Sequence, residues 1–166
     1  MNTIPLFWHL LIHFILAILA GWLLGRYFKQ TWLGLITGFV GGFLIDLDHV
    51  LEYFLFFGPS FNLSHFLEGW QFLLSDKIYL WFHAWEYVPI LLIMAWLLKK
   101  YRVLKIIFIT LALTSGIHLL SDVLINQYPL SHYSIIHRAQ ENFSAEKILS
   151  PTRYQEQLDA RAELGL

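Results

Sequence analysis

The 166 residues are 57% hydrophobic and 17% aromatic, and only 14% are charged, against about 25% in an ordinary soluble domain. The net charge of −1 gives no general attraction to nucleic acid, and the absence of cysteine excludes disulfides and thiolate ligation, so nitrogen and oxygen must hold any metal. With a mean hydropathy of +0.56, the chain reads as an all-α polytopic membrane protein: four transmembrane helices in a bundle, an interfacial helix between the second and third, and a short helical C-terminal tail.

The first apolar segment runs from about Ile4 to Leu24 and carries His9 and His13. It lacks a basic region before it, and Arg26 follows it, so it reads as a span and not as a cleaved leader. The second runs from about Trp32 to Phe57 and contains Asp46-Leu47-Asp48-His49. Gly38, Gly41 and Gly42 permit close helix approach just below that motif and give the segment room to bend. Gly58-Pro59 marks a turn. After it, Asn62 or Ser64 caps an interfacial helix through Ser75, with Trp70 at headgroup level. The third segment, about Ile78 to Leu98, opens with His83 and Glu86, and the fourth, about Val103 to Ile125, ends with His118 and Asp122. Each segment has about 20 residues or more, enough to cross a hydrocarbon core roughly 30 Å thick. Residues 1–125 thus form the transmembrane domain and 126–166 a polar tail, in which Ser150-Pro151-Thr152 starts a helix and Gly165 stops it.

Basic residues set the orientation. Arg26 and Lys29 lie between the first two segments, and Lys99, Lys100, Arg102 and Lys105 between the last two. Both connections are expected on the cytoplasmic side of the cell's inner membrane, with both termini and the 58–77 loop outside. On that topology the histidines and acids of all four segments fall within roughly 15 Å of the outer boundary. Each ionisable side chain in a membrane costs roughly 2.5–3.5 kcal/mol on insertion scales, so a set at one level implies joint use.

The spacing makes pairs. His9/His13, Asp46/His49, His83/Glu86 and His118/Asp122 are three or four residues apart and share helix faces. Asp46 and Asp48 point about 200° apart on a regular helix and cannot both ligate one ion without local distortion. The candidate ligands are His13, Asp46, Asp48, His49, His83, Glu86, His118 and Asp122, and either Asp46 or Asp48 instead holds a histidine or a second ion. Imidazole with carboxylate suits a divalent transition metal, zinc foremost, with manganese, iron or nickel also compatible. Glu86, Asp122 and Asp46 are the candidate catalytic acids and bases. His9, Tyr133 and Arg138 are candidate substrate contacts, with the tail folding back to meet an anionic group. Glu52 reads as a boundary residue, and His132 and His137 as surface residues of the tail.

At these positions the chain resembles the YdjM-like family of membrane-bound metal-dependent hydrolases. That family is marked by a histidine in the first span, a Pro-Asp-x-Asp-His motif, a Thr-His-Ser motif opening a later span, and a closing His-x-x-x-Asp pair. The matches are His13, then Asp46, Asp48 and His49, then His83, then His118 and Asp122, over roughly residues 5–125. Ile45 stands where the family has proline, and Phe82-His83-Ala84-Trp85-Glu86 replaces Thr-His-Ser, so that Glu86 takes the place of another ligand. Ser64-His65 is a competing match for that element. The resemblance implies a bound metal and hydrolase activity. By site depth, the expected partners are the bilayer and an amphiphilic phosphoester or ester, with no nucleic acid. The alternatives are a metal or proton transporter or an accessory membrane subunit, and, further off, a b-type haem protein.

Overall fold

The computed structural model describes residues 6–165, and every regular element among them is a helix. The expected start of the first segment at Ile4 lies outside the described residues. Helix α1 (Leu6–Tyr27) and helix α2 (Thr31–Gly42) form a hairpin. Their packing depends on glycine: a Cβ on Gly34 would sit 2.4 Å from the Gly25 Cα, and one on Gly21 would sit 2.6 Å from the Gly34 carbonyl oxygen. The backbones therefore touch without side chains between them.

Helix α2 does not continue smoothly. Phe43 leaves the helical region, a 3₁₀ turn follows over Leu44–Asp46, and α3 (Leu47–Phe57) resumes the span. Thr31–Phe57 still forms one stretch long and apolar enough to cross a membrane, as do Phe7–Tyr27 and Arg102–Asn126. The last of these, α7 (Arg102–Asn126), packs against α1, against α2 and against the short α6 (Tyr87–Leu97). Its inward stripe is polar: Thr110, Thr114, His118, Ser121 and Asp122 are all buried. Large apolar side chains such as Trp22, Leu55 and Leu124 point outward, as lipid-facing surfaces do.

The third apolar segment differs from expectation. It is helical only over the 11 residues of α6, roughly 16 Å at 1.5 Å per residue, about half of a hydrocarbon core. Residues 78–86 stay irregular because side chains elsewhere capture their backbone groups. Glu52 accepts from the N–H groups of Tyr79 (2.9 Å) and Leu80 (3.2 Å), and Asp48 accepts from that of Phe82 (2.9 Å). Arg138 donates to the carbonyls of Leu80 and His83. These bonds replace the helical ladder.

The 58–77 connection holds two short helices in place of the one expected, α4 (Leu63–Leu67) and α5 (Trp70–Ser75). Asn62 caps the first through its side-chain oxygen, and Gly69, at φ +71°, breaks the chain between them. Trp70 stacks on His65, 3.8 Å between ring centroids. The tail carries α8 (Ile135–Gln140), α9 (Ala145–Ile148) and α10 (Pro151–Glu163), the last capped by Ser150 with Pro151 in its first turn, as expected. The tail returns to the body of the protein: Ile78, Leu80, Ala145 and Ile148 form one buried apolar cluster, and Lys77 pairs with Ser144 in a single antiparallel bridge.

Both basic turns lie at one end of the molecule, where Arg102 donates to the Phe28 carbonyl at 3.0 Å. His9 and His13 near the start of α1, and His118 and Asp122 near the end of α7, lie toward the other.

Candidate metal centre

Four parts of the chain converge at that end. Helix α7 supplies His118 and Asp122 one turn apart, and α1 supplies His9 and His13. The 3₁₀ turn before α3 supplies Asp46, the first turn of α3 supplies Asp48 and His49, and the irregular stretch supplies His83. The His83 Nε2 lies 3.1 Å from the His118 Nε2. The Asp46 Oδ1 is 3.2 Å from the first of these nitrogens and 3.4 Å from the second, and the Asp122 Oδ2 is 3.5 Å and 3.3 Å away. The other oxygen of Asp122 faces α1, at 3.1 Å from the His13 Nε2 and 3.2 Å from the His9 Nε2.

The opposite side of each ring is held. Asp48 accepts from the His83 Nδ1 at 2.8 Å, and the Gly42 carbonyl accepts from the His118 Nδ1 at 3.1 Å. Ser121 gives its hydrogen to the His118 carbonyl (2.8 Å), so its oxygen accepts from the His13 Nδ1 (3.2 Å). With Nδ1 protonated, Nε2 carries a lone pair. When both rings are neutral, as a bound metal would require, the lone pairs of His83 and His118 face each other across 3.1 Å, with carboxylate oxygens on both sides. The buried Asp46 Oδ2 has no hydrogen-bond partner. Nitrogen and carboxylate donors packed this closely share protons among themselves or hold a cation in their place. Three groupings here bring ligand atoms close enough to hold a metal ion: His9/His13/Asp122, Asp46/His49/His83, and His83/His118/Asp122.

The paired acids of the motif resolve the angular conflict read from the sequence. Asp46 and Asp48 do point apart, and the His83 ring sits between them, Nε2 toward one and Nδ1 toward the other. Asp46 faces the metal grouping, while Asp48 orients the ring from behind. Carboxylate–histidine pairs of this kind fix the tautomer and raise ligand basicity.

A cavity of about 480 Å³ opens onto Asp46, His49, His83 and Asp122, walled on the tail side by Tyr128, His132, Tyr133, Leu149 and Gln157. A second, more apolar one of about 240 Å³ shares His9, Asp46, His49 and Phe72 with it and extends to Leu10, Phe66 and Leu67.

Some expected site residues lie elsewhere. Glu86 is neither at the cavity nor near the histidines; its carboxylate accepts from the Ser134 hydroxyl and from the Ile135 and Ile136 N–H groups, which ties α8 to the start of α6. Arg138 is wholly buried and donates to the carbonyls of His132 (2.7 Å), Leu80 (2.8 Å) and His83 (2.9 Å), so it braces the His83 stretch from behind and offers nothing to a substrate. Burial pushes its pKa down, opposed by Asp48, Glu86 and Glu52. Tyr133 reaches the cavity wall, where its hydroxyl accepts from Asn126. His9 lines both cavities. Ser64-His65, the competing match, lies in α4, where the His65 ring stacks on Trp70.

His132 is no surface residue. It is buried, stacked on Tyr128 at 4.3 Å, and held neutral by burial and by the Arg138 charge, which push its pKa down to about 3. Glu52 is likewise buried; its place one turn after Asp48 signals a shared face, whereas nothing local in the sequence marks His132.

No family model matches the chain, and neither a curated protein nor a solved structure matches it.

Proposed function

We propose that the chain is a membrane-embedded, metal-dependent hydrolase acting on an amphiphilic substrate near the outer leaflet. The observation that carries this reading is the convergence of the His83 and His118 Nε2 lone pairs with Asp46 and Asp122 at the wall of a cavity, in a protein whose helices are otherwise apolar outside. The similarity to the YdjM-like pattern supports it through the motif positions alone.

In this reading His83, His118, Asp46 and Asp122 hold a divalent cation, zinc foremost and manganese or iron next. The cation supplies Lewis acidity at a substrate oxygen and lowers the pKa of water. Asp48 keeps the His83 ring in register. His49, half-buried at the meeting of the two cavities, is placed to accept a proton. The apolar cavity beside Phe66 and Leu67 takes the substrate's chain, and the larger one its headgroup. That division favours a lipid phosphoester or ester. Helix α6 with the stretch from Ile78 makes a fourth pass, its irregular part tolerated because it lines a cavity. The basic turns face the cytoplasm of a cell whose inner membrane holds the protein, and the site and both termini face outward.

The test is elemental analysis of the detergent-purified protein beside His118→Ala, followed by hydrolysis assays on mixed micelles of phospholipids, lipid phosphomonoesters and acyl esters. Metal in the parent, its loss in the variant, and metal-dependent cleavage of one of these classes are expected. A metal-loaded parent that cleaves none of them would remove the hydrolase reading and leave a transporter or accessory subunit.

A further inference from the structure

We infer that the site holds two divalent cations bridged by the Asp122 carboxylate, and that the pair is built for a phosphoester. This rests on the hydrolase reading and narrows its substrate. The starting point is the division of labour at Asp122. Its Oδ1 addresses His9 and His13 on α1, while its Oδ2 addresses His83 and His118. Each oxygen of this carboxylate thus faces its own pair of imidazoles, on a different element.

The α1 side is a complete facial set. The His9 and His13 Nε2 atoms are 2.8 Å apart, and each lies 3.1–3.2 Å from the Asp122 Oδ1. Three donors bound at about 2.1 Å in cis positions of an octahedron stand about 3.0 Å from one another. The other side is wider, with separations of 3.1–3.5 Å among His83, His118 and Asp122, and Asp46 lies 3.2–3.4 Å from the two histidines. That approaches the roughly 3.4 Å of a tetrahedral site with similar bonds. The two sets adjoin: the His13 and His118 rings stack at 3.9 Å between centroids. The two groupings share Asp122 alone.

Charge points the same way. Asp46, Asp48, Asp122 and Glu52 crowd this end of the molecule, and Arg138 is the buried guanidinium set against them. Each dication bound here adds two positive charges beside these acids, so a second one favours an anionic phosphate further than the first does. A paired centre of this kind clamps the attacking and leaving oxygens of an in-line displacement at phosphorus, a demand that carboxyl esters do not make. His9 lines both cavities, so the α1 ion has an open side where the headgroup arrives.

The experiment is titration of the metal-stripped, detergent-solubilised full chain with Mn²⁺, read by bound metal per chain and by electron paramagnetic resonance. Two Mn²⁺ per chain with an exchange-coupled spectrum are expected. His9→Ala, at a half-exposed position near the start of α1, is expected to bind one Mn²⁺ with an uncoupled spectrum. Inorganic phosphate added to the loaded parent should alter the coupling, and the inorganic carboxylate analogue bicarbonate should not. One Mn²⁺ per chain at saturation, or two without coupling, overturns the bridged pair and leaves a mononuclear hydrolase standing. No Mn²⁺ in the parent overturns the bridged pair, and no Zn²⁺ in a parallel titration removes the metal-dependent hydrolase reading as well. A coupled pair indifferent to phosphate overturns the phosphoester assignment.

Discussion

His83 is the residue on which the centre turns, because both of its nitrogens are spoken for by acids of one short motif. Asp46 stands 3.2 Å from Nε2 and Asp48 2.8 Å from Nδ1. The two acids are therefore not interchangeable, and substitution should separate them. Removing an outer carboxylate behind a ligating histidine typically lowers metal affinity by about 10–100-fold, so Asp48→Ala should weaken metal binding by that order, and Asp48→Asn by less, since its amide oxygen still accepts from Nδ1. Competition with a chromophoric chelator measures this; equal affinity in parent and Asp48→Ala would show that the ring needs no such partner. Arg138 acts one layer further out. Its removal takes the Arg138 donor from the His132 and His83 carbonyls, takes one of two donors from the Leu80 carbonyl, and leaves the acids around it without a counter-charge. Stranding buried charges in this way costs roughly 3–5 kcal/mol, so Arg138→Met should unfold at a markedly lower temperature in detergent. An unchanged melting curve would show that water replaces the guanidinium.

At the scale of elements, the broken second span and the glycine hairpin decide whether these residues meet. Helix α1 carries His9 and His13, α2 leads into Asp46, and the two are in backbone contact at Gly21, Gly25, Gly34 and Gly38. A methyl group at Gly34 would overlap the Gly25 backbone, and backbone cannot step aside as a flexible side chain does. Gly34→Ala should therefore splay the hairpin and lower metal retention, although residue 34 lies far along the helix from every ligand. Metal content equal to the parent's in folded Gly34→Ala would show that the hairpin does not set the ligand spacing. The i, i+4 pairs His9/His13 and His118/Asp122 were legible in the sequence because helical spacing alone puts them on one face. The opposition of Asp46 and Asp48 was legible as a conflict, but not its resolution, which needs a ring inserted from an unrelated segment. The irregularity of residues 78–86 was hidden for the same reason: that run is apolar enough to suggest a span, and the groups that unwind it, Glu52 and Arg138, lie 28 residues before and 58 after the Leu80 they hold. Glu86 misled by its spacing from His83, since its true partners are the first N–H groups of α8.

At the scale of the whole molecule, the tail is a wall of the site and not an appendage. Leu149 and Gln157 line the larger cavity with Tyr128, His132 and Tyr133, and Ala145 and Ile148 pack on Ile78 and Leu80 beside the His83 stretch. Closure of the site therefore depends on tail docking, and docking depends on a neutral imidazole. His132 faces Arg138, His83 and His137, with Asp122 the one acid in range, and burial with the Arg138 charge holds its pKa at about 3. In the undocked chain the same ring titrates near the ordinary value of about 6.5. The undocked state then binds the proton first, so its population rises as pH falls. Docking is fully stabilised above about 6.5 and is lost progressively toward about 3, with a slope of at most about 1.4 kcal/mol per pH unit for the one proton taken up. Amide hydrogen exchange over residues 130–150, corrected for the intrinsic effect of pH, should show protection falling between pH 7 and pH 4.5, above the range where ordinary carboxylates protonate. His132→Phe keeps the stack on Tyr128 but has no proton to take up, and its tail should hold its protection over that interval. Any other group that takes up a proton in this interval does so in both proteins, so the difference between the two profiles belongs to His132. Superimposable profiles would place the acid sensitivity outside His132 and leave the tail fastened without a titrating imidazole.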